Sequence, residues 1–148
     1  MDYRKEYEKW LASPALSEDE RTELKALEGN DKEIKARFYG PLEFGTAGLR
    51  GTMYTGLHNM NRHVIRWATQ GFANVIRAEG EEAMKKGVAV CMDCRNHSAE
   101  FARETACVMA ANGIHVRLFE SLRPTPELSF AVREYGCQAG VNVTASHN

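Results

Sequence analysis

Between Gly87 and Val143 short apolar runs alternate with amphipathic stretches, and this alternation restricts the fold more than any other feature of the chain. Val88-Ala89-Val90-Cys91-Met92 is apolar without a break, the pattern of a strand covered on both faces. Asp93-Cys94-Arg95-Asn96-His97 reads as the loop that follows. Ser98 is placed to cap the next helix, with Glu100 in a first turn where the helix dipole favours an acid. Phe101, Thr105, Val108 and Met109 line its inner face, and Gly113 ends it. Ile114 to Phe119 reads as a second strand. The Pro124-Thr125-Pro126 turn then leads into a helix through Leu128, Val132 and Tyr135, stopped by Gly136, and Cys137 to Val143 reads as a third strand. Two successive βαβ units with short loops predict an α/β fold, a three-layer α/β/α domain with a mostly parallel sheet and right-handed crossovers. The loops after the three strands open on one edge of such a sheet, where open α/β sheets bind ligands. Those loops carry Asp93 and Arg95, Thr125, and Ser146 with His147.

Ahead of this domain the pattern is helical. Tyr3, Tyr7, Trp10 and Leu11 recur at spacings of three and four, and Ser13-Pro14 stops the run. Ser17-Glu18-Asp19-Glu20 has the form of a capping box, opening a helix to about Leu27. A third helix is predicted from Asp31 to Tyr39, with Ile34 and Phe38 on one side. The predicted organisation is an N-terminal helical arm, residues 1–40, packed on a domain of residues 41–148. The arm carries no recognisable chemistry.

Residues 41–60 change character. In PLEFGTAGLRGTMYTG four glycines surround one charge, Arg50. Glycine lets backbone N–H groups approach a ligand, and a guanidinium matches phosphate oxygens in a fork. The stretch reads as an anion site or as a plain glycine-rich turn, and its spacing fits neither the dinucleotide fingerprint nor the P-loop. The clearest helix follows over residues 61–79, with Val64, Ile65, Ala68, Phe72, Val75 and Ile76 as its apolar stripe. Asn59 or Asn61 is its candidate cap. Gly71 in mid-helix implies close packing on a neighbouring strand, and His63 reads as a surface histidine.

The net charge of −1 gives no reason to expect nucleic acid or an acidic membrane as a partner. No apolar run approaches the ~18 residues of a membrane span, and the charged N-terminus lacks the apolar core of a secretory signal, so a cytoplasmic protein is expected. Cys91, Cys94, Cys107 and Cys137 read as reduced thiols. Cys91-Met92-Asp93-Cys94 between a strand and a helix is the setting of a thiol–redox site. Against that, Cys91 lies inside the apolar run and Asp93 opposes a thiolate. With His97 the pair makes half a zinc site, but Cys107 falls in mid-helix and Cys137 opens a strand.

Thr144-Ala145-Ser146-His147-Asn148 follows the last strand. Ser146 stands where a reactive hydroxyl would be delivered, without the glycines of a hydrolase elbow. Phe44-Gly45-Thr46-Ala47-Gly48-Leu49-Arg50-Gly51, together with this end motif, resembles the α-D-phosphohexomutase family, most closely its phosphoglucomutase and phosphopentomutase branch. Met60-Asn61, Ala68-Thr69-Gln70-Gly71-Phe72, Asp93 with Arg95, and Pro124-Thr125-Pro126 fit in order, and the likeness covers about residues 38–148.

The resemblance implies an intramolecular phosphotransferase of carbohydrate metabolism, built from four domains around a cleft, of which this chain looks like most of the first. It implies a phosphorylated Ser146 that converts a sugar 1-phosphate to the 6-phosphate (or a pentose 1-phosphate to the 5-phosphate) through a bisphosphate. Arg50 would offset the phosphate charge, His147 would orient the phosphoserine or assist proton transfer, and Thr144 and Asn148 would shape the phosphate-binding loop. Arg95 would brace the loops. Mg²⁺ is implied as cofactor, bound to Ser146 through its phosphate. A phosphopentomutase or a hexose-bisphosphate synthase would share these residues. The family's aspartate run, its catalytic lysine and its sugar-recognition loop are not among the 148 residues, so the polypeptide is expected to be a fragment, inactive alone.

Overall fold

A computed structural model describes residues 1–46 and 48–144. The chain divides into two compact units, Met1–Val64 and Ile65–Asn148.

The first unit opens with three short helices, α1 (Tyr3–Leu11), α2 (Glu18–Lys25) and α3 (Asp31–Phe38). Each begins at a polar cap. Asp2 accepts from the backbone of Arg4 and Lys5, and Asn30 accepts from that of Glu33. Ser17 and Glu20 form the reciprocal capping box that their spacing predicts. Tyr7, Leu24, Ile34 and Phe38 meet in a core that also takes in Leu57 from beyond the arm. Tyr7 and Trp10 pack edge-on against Phe38, at 5.6 and 5.7 Å between ring centres. The glycine-rich stretch folds back on itself as an antiparallel pair, β1 (Phe44–Gly45) with β2 (Gly48–Leu49).

The second unit is the three-layer domain. Its central strand is β3 (Val88–Met92), flanked in parallel by β4 (Val116–Leu118) on one side and β5 (Ala139–Val143) on the other. Val88 to Cys91 are all buried, as the unbroken apolar run requires. Their alternation sorts the layers. Val88 and Val90 join Ala102 and Met109 of α6 (Ser98–Ala111), Ala73 and Ile76 of α4 (Arg62–Ala78), and Ala83 of α5 (Glu81–Lys86). Ala89 and Cys91 face the other way, onto Leu128 and Val132 of α7 (Thr125–Glu134). Ser98 to Ala111 and Thr125 to Glu134 are the crossover helices of the two βαβ units.

One choice left open by the sequence is decided, and two local expectations are corrected. Asn61, not Asn59, caps α4: its Oδ1 accepts from the backbone of His63 and Val64 at 3.1 Å. His63 is no surface histidine, since its Nε2 meets Glu20 at 3.1 Å and its ring packs on Trp10. Gly71 is exposed, and a Cβ there would meet nothing within 4 Å. The buried stripe of α4 runs through Val64, Thr69, Ala73 and Ile76, leaving Val75 57% exposed. The apolar residues of this helix outnumber those its inner face holds, so the sequence pattern points to too broad a stripe.

Candidate functional site

The carboxyl edge of the parallel sheet is held together by two polar side chains. Asp93 directly follows β3, and its backbone N–H donates to the carbonyl of Val143 at the end of β5. Its Oδ1 accepts from the backbone N–H of Arg95 at 2.9 Å and from the Ser98 hydroxyl at 2.6 Å. Its Oδ2 accepts from the Thr144 hydroxyl at 2.6 Å. One carboxylate thus ties the loop after β3, the first turn of α6 and the segment leaving β5. Bonds to an ionised acceptor are the shorter and stronger kind.

Asn142 is the second tie. Its Nδ2 donates to the Thr125 hydroxyl at 2.6 Å, and its Oδ1 accepts from the Cys91 thiol at 3.1 Å. Burial, reinforced by Asp93 and Glu127, pushes the Cys91 thiol up to about 11. A thiol held protonated and facing an amide oxygen is a poor nucleophile, which argues against the redox reading of Cys91 and Cys94. Cys94 and Cys107 are exposed, and Cys137 lies just ahead of β5. Among the described residues no three His, Cys, Asp or Glu converge as a metal site would require.

In the first unit, Arg50 follows β2 and is exposed. It lines a concavity of about 300 Å³ with Gly51, Thr52, Tyr54, His58 and Asn59. The segment beyond it is fixed from several sides. Asn59 donates to the Thr52 hydroxyl at 2.8 Å, and Asn61 donates to the carbonyls of Tyr54 and Gly56. Gly56 has φ +153°, and an added Cβ would lie 2.9 Å from both the Arg37 Cβ and the Asn59 Oδ1. His58 faces the carbonyls of Gly40 and Pro41 through Nδ1, which assigns its ring proton there and leaves Nε2 to accept from the Tyr39 hydroxyl.

The floor of that concavity comes from the helices. Arg37 is only 7% exposed. It donates to Glu33 at 2.9 Å, to Glu23 and to the Thr55 carbonyl, and lies 4.4 Å from the Tyr54 ring centre. Glu23 also accepts from the Thr55 amide at 3.1 Å and hydroxyl at 2.6 Å. Burial works to raise the Glu23 carboxyl, but these donors from Thr55 and Arg37 outweigh it and hold it below the usual carboxylate range. The arm, read as free of chemistry, is what holds the Arg50 segment in shape.

Of the residues singled out from sequence, Ser146, His147 and Asn148 lie outside the described residues. Thr144 is described and is bonded to Asp93. Arg95 contributes its backbone N–H to the loop, while its guanidinium stays exposed, with Nε 4.0 Å from Asp93. Thr125 starts α7 rather than sitting in the loop before it. Glu23, Arg37 and Asn142 were not anticipated, and Asn61 was expected only as a helix cap. The one signal for Asn142 is an amide inside an otherwise apolar strand.

Residues 41–148 match the family described as phosphoglucomutase/phosphomannomutase, alpha/beta/alpha domain I. A phosphopentomutase of Pongo abelii is 39% identical over 127 residues, 82% of this chain and 21% of that protein. A phosphoglucomutase of Staphylococcus saprophyticus is 39% identical over 118 residues, 80% of this chain and 21% of that protein. A phosphomannomutase of Mycoplasma pneumoniae is 33% identical over 145 residues, 97% of this chain and 26% of that protein. The chain therefore spans 21–26% of the length of these relatives. No solved structure matches it. The parallel α/β/α sheet and a family match that begins at Pro41 and runs to Asn148 agree, and the chain belongs to the phosphoglucomutase/phosphomannomutase family.

Proposed function

We propose that this chain is the phosphoserine-bearing part of a longer cytoplasmic phosphosugar mutase, with Ser146 as the phosphoryl carrier. The observation that carries this reading is the end of β5, where Thr144 leaves the carboxyl edge of the sheet anchored to Asp93, two residues before Ser146. A serine on a loop fixed by a strand suits a covalent carrier.

In the forward step a free hydroxyl of the bound sugar phosphate attacks the phosphorus on Ser146. The new P–O bond forms as the bond to Ser146 Oγ breaks, the sugar hydroxyl loses its proton, and Oγ takes one up. The sugar bisphosphate then turns over and returns its other phosphate to Ser146. Phosphoryl transfer depends mainly on positioning and charge compensation. A phosphoserine carries about −1.5 to −2 charges, which Arg50 is assigned to offset. His147 orients the phosphoserine or assists its proton transfer, and Asn148 shapes the loop.

Magnesium belongs to this proposal as a ligand of the whole enzyme. The ion prefers six oxygens in octahedral array. The described residues do not fit that requirement, because no acidic cluster forms and the oxygens of Asp93 already accept from Arg95, Ser98 and Thr144. The Ser146 phosphate would supply a single ligand.

The test is Ser146→Ala in the full-length enzyme, assayed with glucose 1-phosphate, mannose 1-phosphate and ribose 1-phosphate. Turnover is expected to vanish with every sugar, together with the phosphoryl mass on the protein; retained turnover would remove the mechanism. A pentose phosphate as the preferred sugar is the second reading; the phosphopentomutase and the phosphoglucomutase are both 39% identical, so the ratio of turnover with ribose 1-phosphate and glucose 1-phosphate decides between them.

A further inference from the structure

We propose that Asp93 is a positioning residue for phosphoryl transfer, its carboxylate fixing Thr144 and thereby the place at which the loop holds Ser146. This rests on the reading of Ser146 as the phosphoryl carrier.

The geometry behind it is a junction of three elements on one side chain. Asp93 is covalently continuous with β3, whose last residue Met92 is in register with Val143. Its Oδ1 is bonded to Ser98, a buried residue that opens α6. Its Oδ2 is bonded to Thr144. Strand and helix make a rigid base, and Thr144 is the first residue beyond it.

The backbone between Asp93 and Ser98 is shaped for this bond. His97 adopts φ +63°, the one left-handed residue other than glycine among the described residues. Such a conformation costs of order 1–3 kcal/mol and persists where surroundings impose it. Here the His97 ring is bonded to Glu100 and stacked on Phe101, and the Ser98 amide closes back onto the Arg95 carbonyl.

The bond also redefines Thr144. A hydroxyl has one hydrogen, and that hydrogen is directed at Asp93. Thr144 then acts as the anchor of its loop rather than as a side-chain donor to phosphate. A displacement of about 1 Å at a reacting centre costs of order 100-fold in rate. The tether should therefore be read in kcat and not in substrate affinity.

The experiment is a double-mutant cycle in the full-length enzyme. Asp93→Ala and Thr144→Val should each lower kcat by about 10- to 100-fold with KM moved less than about two-fold, and the double variant should be no slower than the slower single one. Ser98→Ala removes one of the two side-chain bonds on the carboxylate and leaves Thr144 attached, so it should lower kcat less than Thr144→Val does, with KM again moved less than about two-fold. Additive losses, or an effect confined to KM, would overturn the proposal. Should Asp93→Ala fail to fold, Asp93→Asn takes its place in the cycle. Wild-type kcat in Thr144→Val would overturn the positioning role alone if Ser146→Ala is inactive. Turnover in Ser146→Ala would instead overturn the carrier reading beneath it.

Discussion

Glu20 serves three partners with one carboxylate. It closes the capping box on the Ser17 amide at 2.7 Å, meets Arg62 at 2.8 Å and meets His63 at 3.1 Å. Burial acts to raise its carboxyl, and the Ser17, Arg62 and His63 donors more than reverse that. Glu20 and Glu23 are both depressed when folded. Their contribution is complete above the unfolded value near 4.5 and is lost as pH falls through the lower folded values. Tm should therefore drop more steeply below pH 4.5 in the wild type than in a Glu20→Gln, Glu23→Gln chain, which scanning calorimetry across that range would check. Cys91→Ser with Cys94→Ser should leave turnover of the full-length enzyme within about two-fold, since a thiol pushed up to about 11 carries little thiolate at neutral pH. Strong loss would revive thiol chemistry. At this scale the sequence was legible where a short spacing carries its own geometry, as Ser17 and Glu20 do. Asp93 was visible as a loop residue beside Arg95, not as a junction of three elements. Its role depends on Ser98, five positions on, and on Thr144, fifty-one positions on. No local pattern encodes that convergence.

Among the elements, the long or uninterrupted ones were readable in advance. β3 declares itself by five apolar residues in a row, and α2 by its capping box. The β1–β2 pair and α5 were not anticipated, because two-residue strands and a six-residue helix are too short to show a period. Side-chain volume also misled at α4, where Val75 carries the apolar character of a core residue and faces outward. Two glycines test these assignments in opposite directions. At Gly71 the Cβ of an alanine meets open space, so Gly71→Ala should raise stability by about 0.5–1 kcal/mol. At Gly87, which joins α5 to β3 with φ +69°, a Cβ would fall 2.0 Å from the His115 carbonyl oxygen. Gly87→Ala should cost about 3 kcal/mol or more, combining left-handed strain with a backbone clash. Urea midpoints of the two variants, compared at unchanged slope, would show both signs.

For the molecule as a whole, the layer architecture and the parallel sheet follow from the order of its elements, and the family follows from residues 41–148. No helix among the described residues is long and apolar enough to cross a membrane. The chain spans 21–26% of the relatives' length, so the polypeptide alone is expected to show no mutase turnover with magnesium and glucose 1-phosphate. Measurable turnover in a coupled assay would mean that fewer parts suffice. The two tryptophans give the molecule a built-in pair of optical reporters. Trp10 is packed on Phe38 and bonded to Glu6 in the first unit, while Trp67 is 59% exposed on α4 in the second. Emission from Trp10 should lie to the blue and shift red on unfolding, whereas that of Trp67 starts near its solvated wavelength. A Trp67→Phe chain would then light only the helical arm, and circular dichroism would follow both units. An emission shift that precedes the loss of dichroism would show the first unit opening ahead of the second, and coincident curves would show the two melting together.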